Sequence, residues 1–107
     1  MSQFLKIVLG ELQEGLAKVY GSRLRALRLF GSQARGDAVS GSDIDVALIL
    51  DEFSTAGEEI DRTAPLVAEI SLGHDCVISL VPVREKDWRI RQTPFLMNLR
   101  RESVTIL

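Results

Sequence analysis

The sequence predicts an α+β fold with α/β-like element order, a small mixed β-sheet packed with helices. Apolar residues recur at helical spacing in the first twenty positions and again in the second half of the chain. Short apolar runs bounded by Gly, Ser and Pro alternate with those helices, and each amphipathic helix needs a sheet face to cover. The length of 107 residues suits one domain over 1–107, and 46% hydrophobic with 26% charged residues is an ordinary globular balance.

From Gln3 to Tyr20 the residues Phe4, Leu5, Val8, Leu12, Leu16 and Val19 recur at intervals of three and four, marking the inward face of a helix that Gly21 stops. Leu24 to Phe30 (LRALRLF) shifts to a short period broken by Arg25 and Arg28, as a strand would, and runs into a tight turn at Gly31-Ser32. Gly36 to Ser42 (GDAVSGS) is a loop, and Ile44 to Leu50 (IDVALIL) is apolar enough for a central strand. After the polar stretch DEFSTAGEE, with Ser54 or Thr55 as cap, a helix is expected from Glu58 to Leu72 with Ile60, Ala64, Val67, Ala68 and Ile70 or Ser71 inward. Pro65 is expected to kink or restart it. Gly73-His74 turns the chain into a third strand, Cys76 to Val83, whose end Pro82 marks. A helical turn about Trp88, a helix from Pro94 to Glu102 and an extended edge over VTIL complete the order, with no repeat or linker.

Composition removes several function classes. With 13 Lys and Arg against 15 Asp and Glu, the formal charge of -2 does not suit a protein whose main work is coating a phosphate backbone, so nucleic acid is expected only indirectly. Arg84, Arg89, Arg91, Arg100 and Arg101 make the C-terminal end locally basic, which fits either an acidic partner or plain solvation. Cys76 is the single cysteine and lies in the apolar run CVISLV, so no internal disulfide forms and a reducing cytoplasm is expected. No run approaches the roughly 18 apolar residues of a membrane span, and the N-terminus MSQFLKIVLGEL carries Lys and Glu within its apolar pattern, unlike a signal peptide. The chain reads as soluble and unprocessed.

The chemistry concentrates between Gly31 and Asp45. Asp43 and Asp45 stand two apart at a strand start, so both carboxylates project from one face, about 7 Å apart along the chain. Two such hard oxygen donors with an open side suit a magnesium ion bound together with a nucleoside triphosphate. Upstream, Gly31 and Ser32 follow a strand and open a short helix, aiming free amides and a hydroxyl at one point suited to phosphate oxygens. Arg35 could reach that triphosphate or pair with Asp37 or Asp51. His74, the only histidine, reads as a turn residue, and no Ser, His and Asp or Cys and His set is present for covalent catalysis. Trp88, Phe95, Leu96, Met97 and Leu99 read as packing residues in preference to a base-stacking platform.

The stretch FGSQARGDAVSGSDIDVAL resembles the signature of the polymerase β-like nucleotidyltransferase superfamily: Gly-Ser, about ten residues, then D-x-D. It is similar in particular to the minimal nucleotidyltransferase (MNT) domains, whose blocks match at Phe30 to Ser32, Ala34 to Gly36 and Ser42 to Val46. The resemblance implies that Gly31 and Ser32, with Arg35 nearby, contact the triphosphate. It implies that Asp43 and Asp45 are the catalytic carboxylates holding one or two Mg2+ ions. It further implies transfer of AMP from ATP to a hydroxyl on a partner protein with loss of pyrophosphate. MNT domains pair with helical HEPN-domain proteins, often toxins, so an antitoxin role and a homo- or hetero-oligomer follow from the likeness.

One position departs from that pattern. Active members carry a third carboxylate on the next strand, often within D-L-V, and the corresponding strand here reads I-S-L-V with Ser79 at the place. A neutral hydroxyl neither attracts a second cation nor acts as a base near neutral pH. Asp75 lies four residues earlier, about 13 Å away on a regular strand, so it is no simple replacement unless a bulge or another alignment intervenes. Two functions therefore remain open: an adenylyltransferase, or a catalytically impaired module that inhibits or regulates its partner by complex formation. An enzyme modifying a small molecule, akin to aminoglycoside nucleotidyltransferases, ranks after both, because it would need an added helical domain.

Overall fold

A computed structural model of the chain describes residues 1–39 and 41–106. Ser40, in the loop expected over Gly36 to Ser42, and Leu107, at the end of the expected edge strand, lie outside the described residues. In chain order the elements are α1 (Gln3–Tyr20), a 3-10 turn (Gly21–Arg23), β1 (Leu24–Phe30), α2 (Ser32–Arg35), β2 (Ile44–Leu50) and α3 (Ala56–His74). They continue with β3 (Ile78–Arg84), α4 (Glu85–Ile90), α5 (Pro94–Glu102) and β4 (Val104–Thr105). The strands form one mixed sheet in the order β3-β2-β1-β4, in which β2 runs parallel to β3, while β1 is antiparallel to β2 and to β4. The α+β arrangement expected from the sequence is the one observed.

Alternation along β2 explains the layers. Ile44, Val46, Leu48 and Leu50 join Leu27 and Leu29 of β1 in a core against α1 and α3, while Ala47 and Ile49 face Leu96 and Leu99 of α5 on the other side. A strand covered on both faces reads as a continuous apolar run, which is why IDVALIL was recognisable. Side-chain caps fix the helix starts: Ser2 accepts from the Leu5 amide, Thr55 from Glu58 and Thr93 from Leu96. Of the two expected caps for α3, Thr55 is the one used.

Several boundaries and faces differ from the sequence reading. α3 is continuous through Pro65, which sits on the exposed side of the helix. Gly73 and His74 belong to that helix, and the turn falls at Asp75, its left-handed C-cap with φ 51. Pro82 lies inside β3, opposite Leu48, instead of ending it. On α1, Leu9 and Tyr20 are buried and Phe4 and Val19 are exposed.

The shift on α3 is larger. Glu59 (2% exposed), Thr63 (1%) and Ile70 face inward, whereas Ile60, Ala64 and Ala68 face out. Polar compensation makes this possible. The Tyr20 hydroxyl donates to Glu59 at 2.8 Å, Arg62 Nε donates to it at 3.1 Å, and the Thr63 hydroxyl donates to the Glu59 carbonyl at 2.9 Å. Burial and the neighbouring Glu59 push the Tyr20 hydroxyl up to about 12.

The basic C-terminal end is used internally. Arg84 bonds the carbonyls of Phe53 and Ser54, Arg100 those of Trp88 and Arg91, and Arg89, Arg91 and Arg101 pair with Glu85, Asp87 and Glu102. Among the described residues no helix is long and apolar enough to cross a membrane.

Candidate functional site

Strand register brings the sequence-predicted residues together at one end of the sheet. Phe30 of β1 is the partner of Asp45, and Asp45 is in turn the partner of Ser79 on β3, so the three side chains form a row across one face. Asp43 stands just before β2 and is exposed, while Asp45 is half-buried. The start of β2 is held by the Ile44 amide, which donates to the Val77 carbonyl at 2.8 Å. The loop before it is closed by a reciprocal pair, the Val39 amide donating to the Ser42 hydroxyl and the Ser42 amide to the Val39 carbonyl, each at 2.9 Å.

Gly31 is required on two grounds. Its φ of +73 lies in the left-handed region, and a Cβ built there would collide with the Asp45 carboxylate. The glycine therefore lets the turn into α2 lie directly against the second aspartate. Its carbonyl accepts from the Ala34 and Arg35 amides at 3.1 Å, and Ser32's carbonyl accepts from Gly36 and Asp37. The first-turn amides of Ser32 and Gln33 are not consumed by the helix.

The electrostatics of the pair are strained in the direction a cation would relieve. Partial burial, then the negative charge of Asp43, raise the Asp45 carboxyl above the usual aspartate range, against a smaller lowering by Arg35. Arg35 Nε itself lies 3.2 Å from Asp37, so of its possible acid partners the structure selects that one. Asp51 is taken by Arg23 at 3.1 Å.

Two carboxylates form a hard, open donor set, which fits a divalent cation that completes its shell with water and phosphate oxygens. A cage made of protein alone does not fit, since no group of three His, Cys, Asp or Glu side chains able to hold a metal occurs among the described residues. Ser79 fills the third place of the row with a neutral hydroxyl. Asp75 does not substitute for it: the residue is an exposed helix cap outside β3. His74 lies away from the row, bonded to Glu11 on α1 and edge-on to Phe4. Burial and Asp75 push the Cys76 thiol up, which keeps it protonated and unreactive.

Two cavities flank the motif, one on each face of the sheet. The first, about 440 Å³, is lined by residues including Gln33, Val39, Ser42, Ile44 and Asp75. The second, about 280 Å³, lies between Gly31 and Arg35 and the Phe95, Asn98 and Glu102 side of α5. Phe30 meets Phe95 there edge to face, with ring centroids 5.6 Å apart. Sequence reasoning missed Gln33, Phe95, Asn98 and Glu102 as site neighbours. The available signal was the spacing of 95, 98 and 102, which places them along one side of a helix.

A model of the nucleotidyltransferase domain family matches residues 2–101. A relative from Methanocaldococcus jannaschii, provisionally named a protein adenylyltransferase, is 31% identical over 72 residues, which make up 67% of this chain and 72% of the relative. A crystal structure of a toxin-antitoxin with AMP-PNP superposes with a TM-score of 0.63 at 18% identity, over 92% of this chain and 72% of the other. The crystal structure of a Sulfolobus solfataricus protein, provisionally named a nucleotidyltransferase, gives 0.60 at 19% identity, over 94% and 80%. These two are likenesses of fold.

Proposed function

The chain belongs to the nucleotidyltransferase domain family, and from that premise we propose that it binds ATP with magnesium at Asp43 and Asp45 and transfers AMP to a hydroxyl on a partner protein. The observation that supports this reading is the contact of the Gly31 turn with Asp45, which sets free backbone amides, suited to phosphate, beside a carboxylate pair whose repulsion a cation would relieve. When bound, Mg2+ supplies charge neutralisation and a template for the phosphate oxygens. Gly31 and Ser32 would hold the outer phosphates through amides and hydroxyl, Arg35 would turn from Asp37 to add charge, and Asp43 and Asp45 would hold the metal. The acceptor oxygen attacks the α-phosphorus in line, the bond to the β-phosphate bridging oxygen breaks and pyrophosphate leaves. Ser79 cannot take the hydroxyl proton, so a phosphate oxygen or water receives it.

The provisional name of the Methanocaldococcus relative supports adenylyl transfer to protein. The toxin-antitoxin neighbour supports a protein partner, the MNT resemblance favours a HEPN-type protein, and the single cysteine, Cys76, favours a reducing cytoplasm. The test uses ATP labelled at the α-phosphate, with magnesium, the chain and a co-encoded HEPN protein. Label on the partner from wild type, and none from Asp43→Ala/Asp45→Ala, is the expected result.

Ser79 beside Asp45 favours one second reading, a module that binds nucleotide and inhibits its partner by occlusion. No labelling by wild type, with partner inhibition retained in the double variant, would establish that reading in place of the first.

A further inference from the structure

α3 has two apolar stripes, and the more polar of them is buried. Glu59, Thr63, Leu66 and Ile70 face the protein, Ile60, Ala64 and Ala68 border the free edge of β3, and Val67 packs on the core while lining the same edge. With Ile78, Ser79 and Leu80 this second stripe lines a groove of about 390 Å³, and Ile60 remains 47% exposed. Burying Glu59 takes the hydroxyl of Tyr20 and the guanidinium of Arg62 as partners, whereas burying Ile60 would take none. A helix held in that rotation keeps its apolar stripe available to another surface.

The edge strand indicates what shape fits. Because the Val77 carbonyl bonds the Ile44 amide, residues 77, 79, 81 and 83 turn their backbone groups toward β2, and 78, 80 and 82 turn theirs outward. Pro82 thus costs no ladder bond and blunts the edge, leaving outward amides at Ile78 and Leu80, too few for strand addition. The small side chains of Ala64 and Ala68 instead allow a helix to approach closely. Charge adds a sign. Asp61 on the groove's outer ridge, with Glu58 one turn before it, makes no ion pair among the described residues, and neither does that glutamate. Ser79, the strand partner of Asp45, borders the groove at the strand edge, while the side chains of that pair belong to the opposite face of the sheet, with Phe30, Ala47 and Val81.

We propose that the groove between α3 and the β3 edge docks an amphipathic helix of another protein, apolar on one face and flanked by Lys and Arg, and so holds that protein at the strand edge whose opposite face carries the Asp45 row. Only the role given to the docked protein rests on the nucleotidyl-transfer reading. The test titrates the isotope-labelled full chain with a synthetic helix of about 18 residues built from Leu and Lys, and in parallel with its Leu and Glu counterpart. The Leu and Lys helix is expected to shift the amides of Ile60, Ala64, Ala68 and Leu80 and to bind about tenfold more tightly than the acidic one. Ala64→Arg, at an exposed position, should weaken it about tenfold with an unchanged thermal melt. Asp61→Lys should weaken it about threefold in low salt and little in high salt. No binding, shifts elsewhere, equal binding of both peptides or an unaffected Ala64→Arg would overturn the assignment. So would sedimentation showing a dimer that Ala64→Arg dissociates, since a second copy would then fill the groove. Magnesium-ATP titration of the same samples separates the two readings: intact nucleotide binding without peptide binding counts against the groove alone, and the converse counts against the nucleotide site alone.

Discussion

The two halves of the site row differ in how tightly their residues are constrained. On the β1–β2 side, Gly31 cannot be another residue without striking Asp45, and the Asp45 carboxyl is raised by partial burial and then by Asp43. On the β3 side, Ser79 is neutral, half-buried and open to an apolar groove. The contrast teaches that holding a nucleotide and turning it over are separable demands on this fold. On the proposed reading the first would be met by the chain's own backbone and carboxylates, and the second would be left to the substrates and to the protein proposed to dock beside β3.

The strongest way to break the contrast is to remove the constrained half. Asp43→Ala/Asp45→Ala should weaken magnesium-dependent ATP binding by about 100-fold or more, because loss of ligands exceeds the 10- to 100-fold typical of their supporting partners. Calorimetry reads it directly. Next in size is Gly31→Ala, which forces a side chain into a left-handed turn and into the Asp45 carboxylate. Denaturant unfolding should show a loss of about 1–3 kcal/mol, with weaker ATP binding in parallel. An alanine there with full affinity would mean that the turn does not touch the ligand.

Sharpening the neutral half is the complementary change. Ser79→Asp sets a third carboxylate beside Asp45, so magnesium affinity and any adenylyl transfer should rise. Without metal the like charges should destabilise the fold by up to about 1 kcal/mol, visible as a lowered Tm that magnesium restores. If Tm and metal affinity both stay unchanged, residue 79 does not share the site.

The smallest effect concerns pH. The folded state holds the Asp45 proton more tightly than the unfolded chain, so ionising this carboxyl costs folding stability. That cost is absent below the ordinary aspartate range and complete once pH has passed the raised value. Metal-free Asp45→Asn should therefore melt above wild type at neutral pH and level with it near about pH 3. A constant offset across that range would assign the effect to packing.

Much of this was legible in the residues. The bounds of α1, β1, β2 and α5 follow from periodicity, Gly and Pro, and the Gly-Ser and D-x-D blocks mark where the candidate site lies. Register was not legible. Only the family resemblance put Ser79 at the third place beside Asp45, where the register has it; the residues alone did not show that Asp75 caps α3, because His74 and Asp75 carry no strong stop signal. The rotation of α3 was hidden for another reason. Apolar periodicity favours burying Ile60, but a hydroxyl from Tyr20, 39 residues away, makes Glu59 the buried residue. A pattern confined to one helix cannot see a partner on another. Likewise Pro82 reads as a strand end until β3 is known to be an edge whose outward amide it occupies.

The central claim is that the Gly31 to Asp45 segment is a magnesium and nucleotide site. Its most direct test is calorimetric titration of the chain with ATP, with and without magnesium, beside the Asp43→Ala/Asp45→Ala variant. Binding that needs both the metal and the two aspartates is the predicted result. Equal binding without magnesium, or undiminished binding by the double variant, would contradict it.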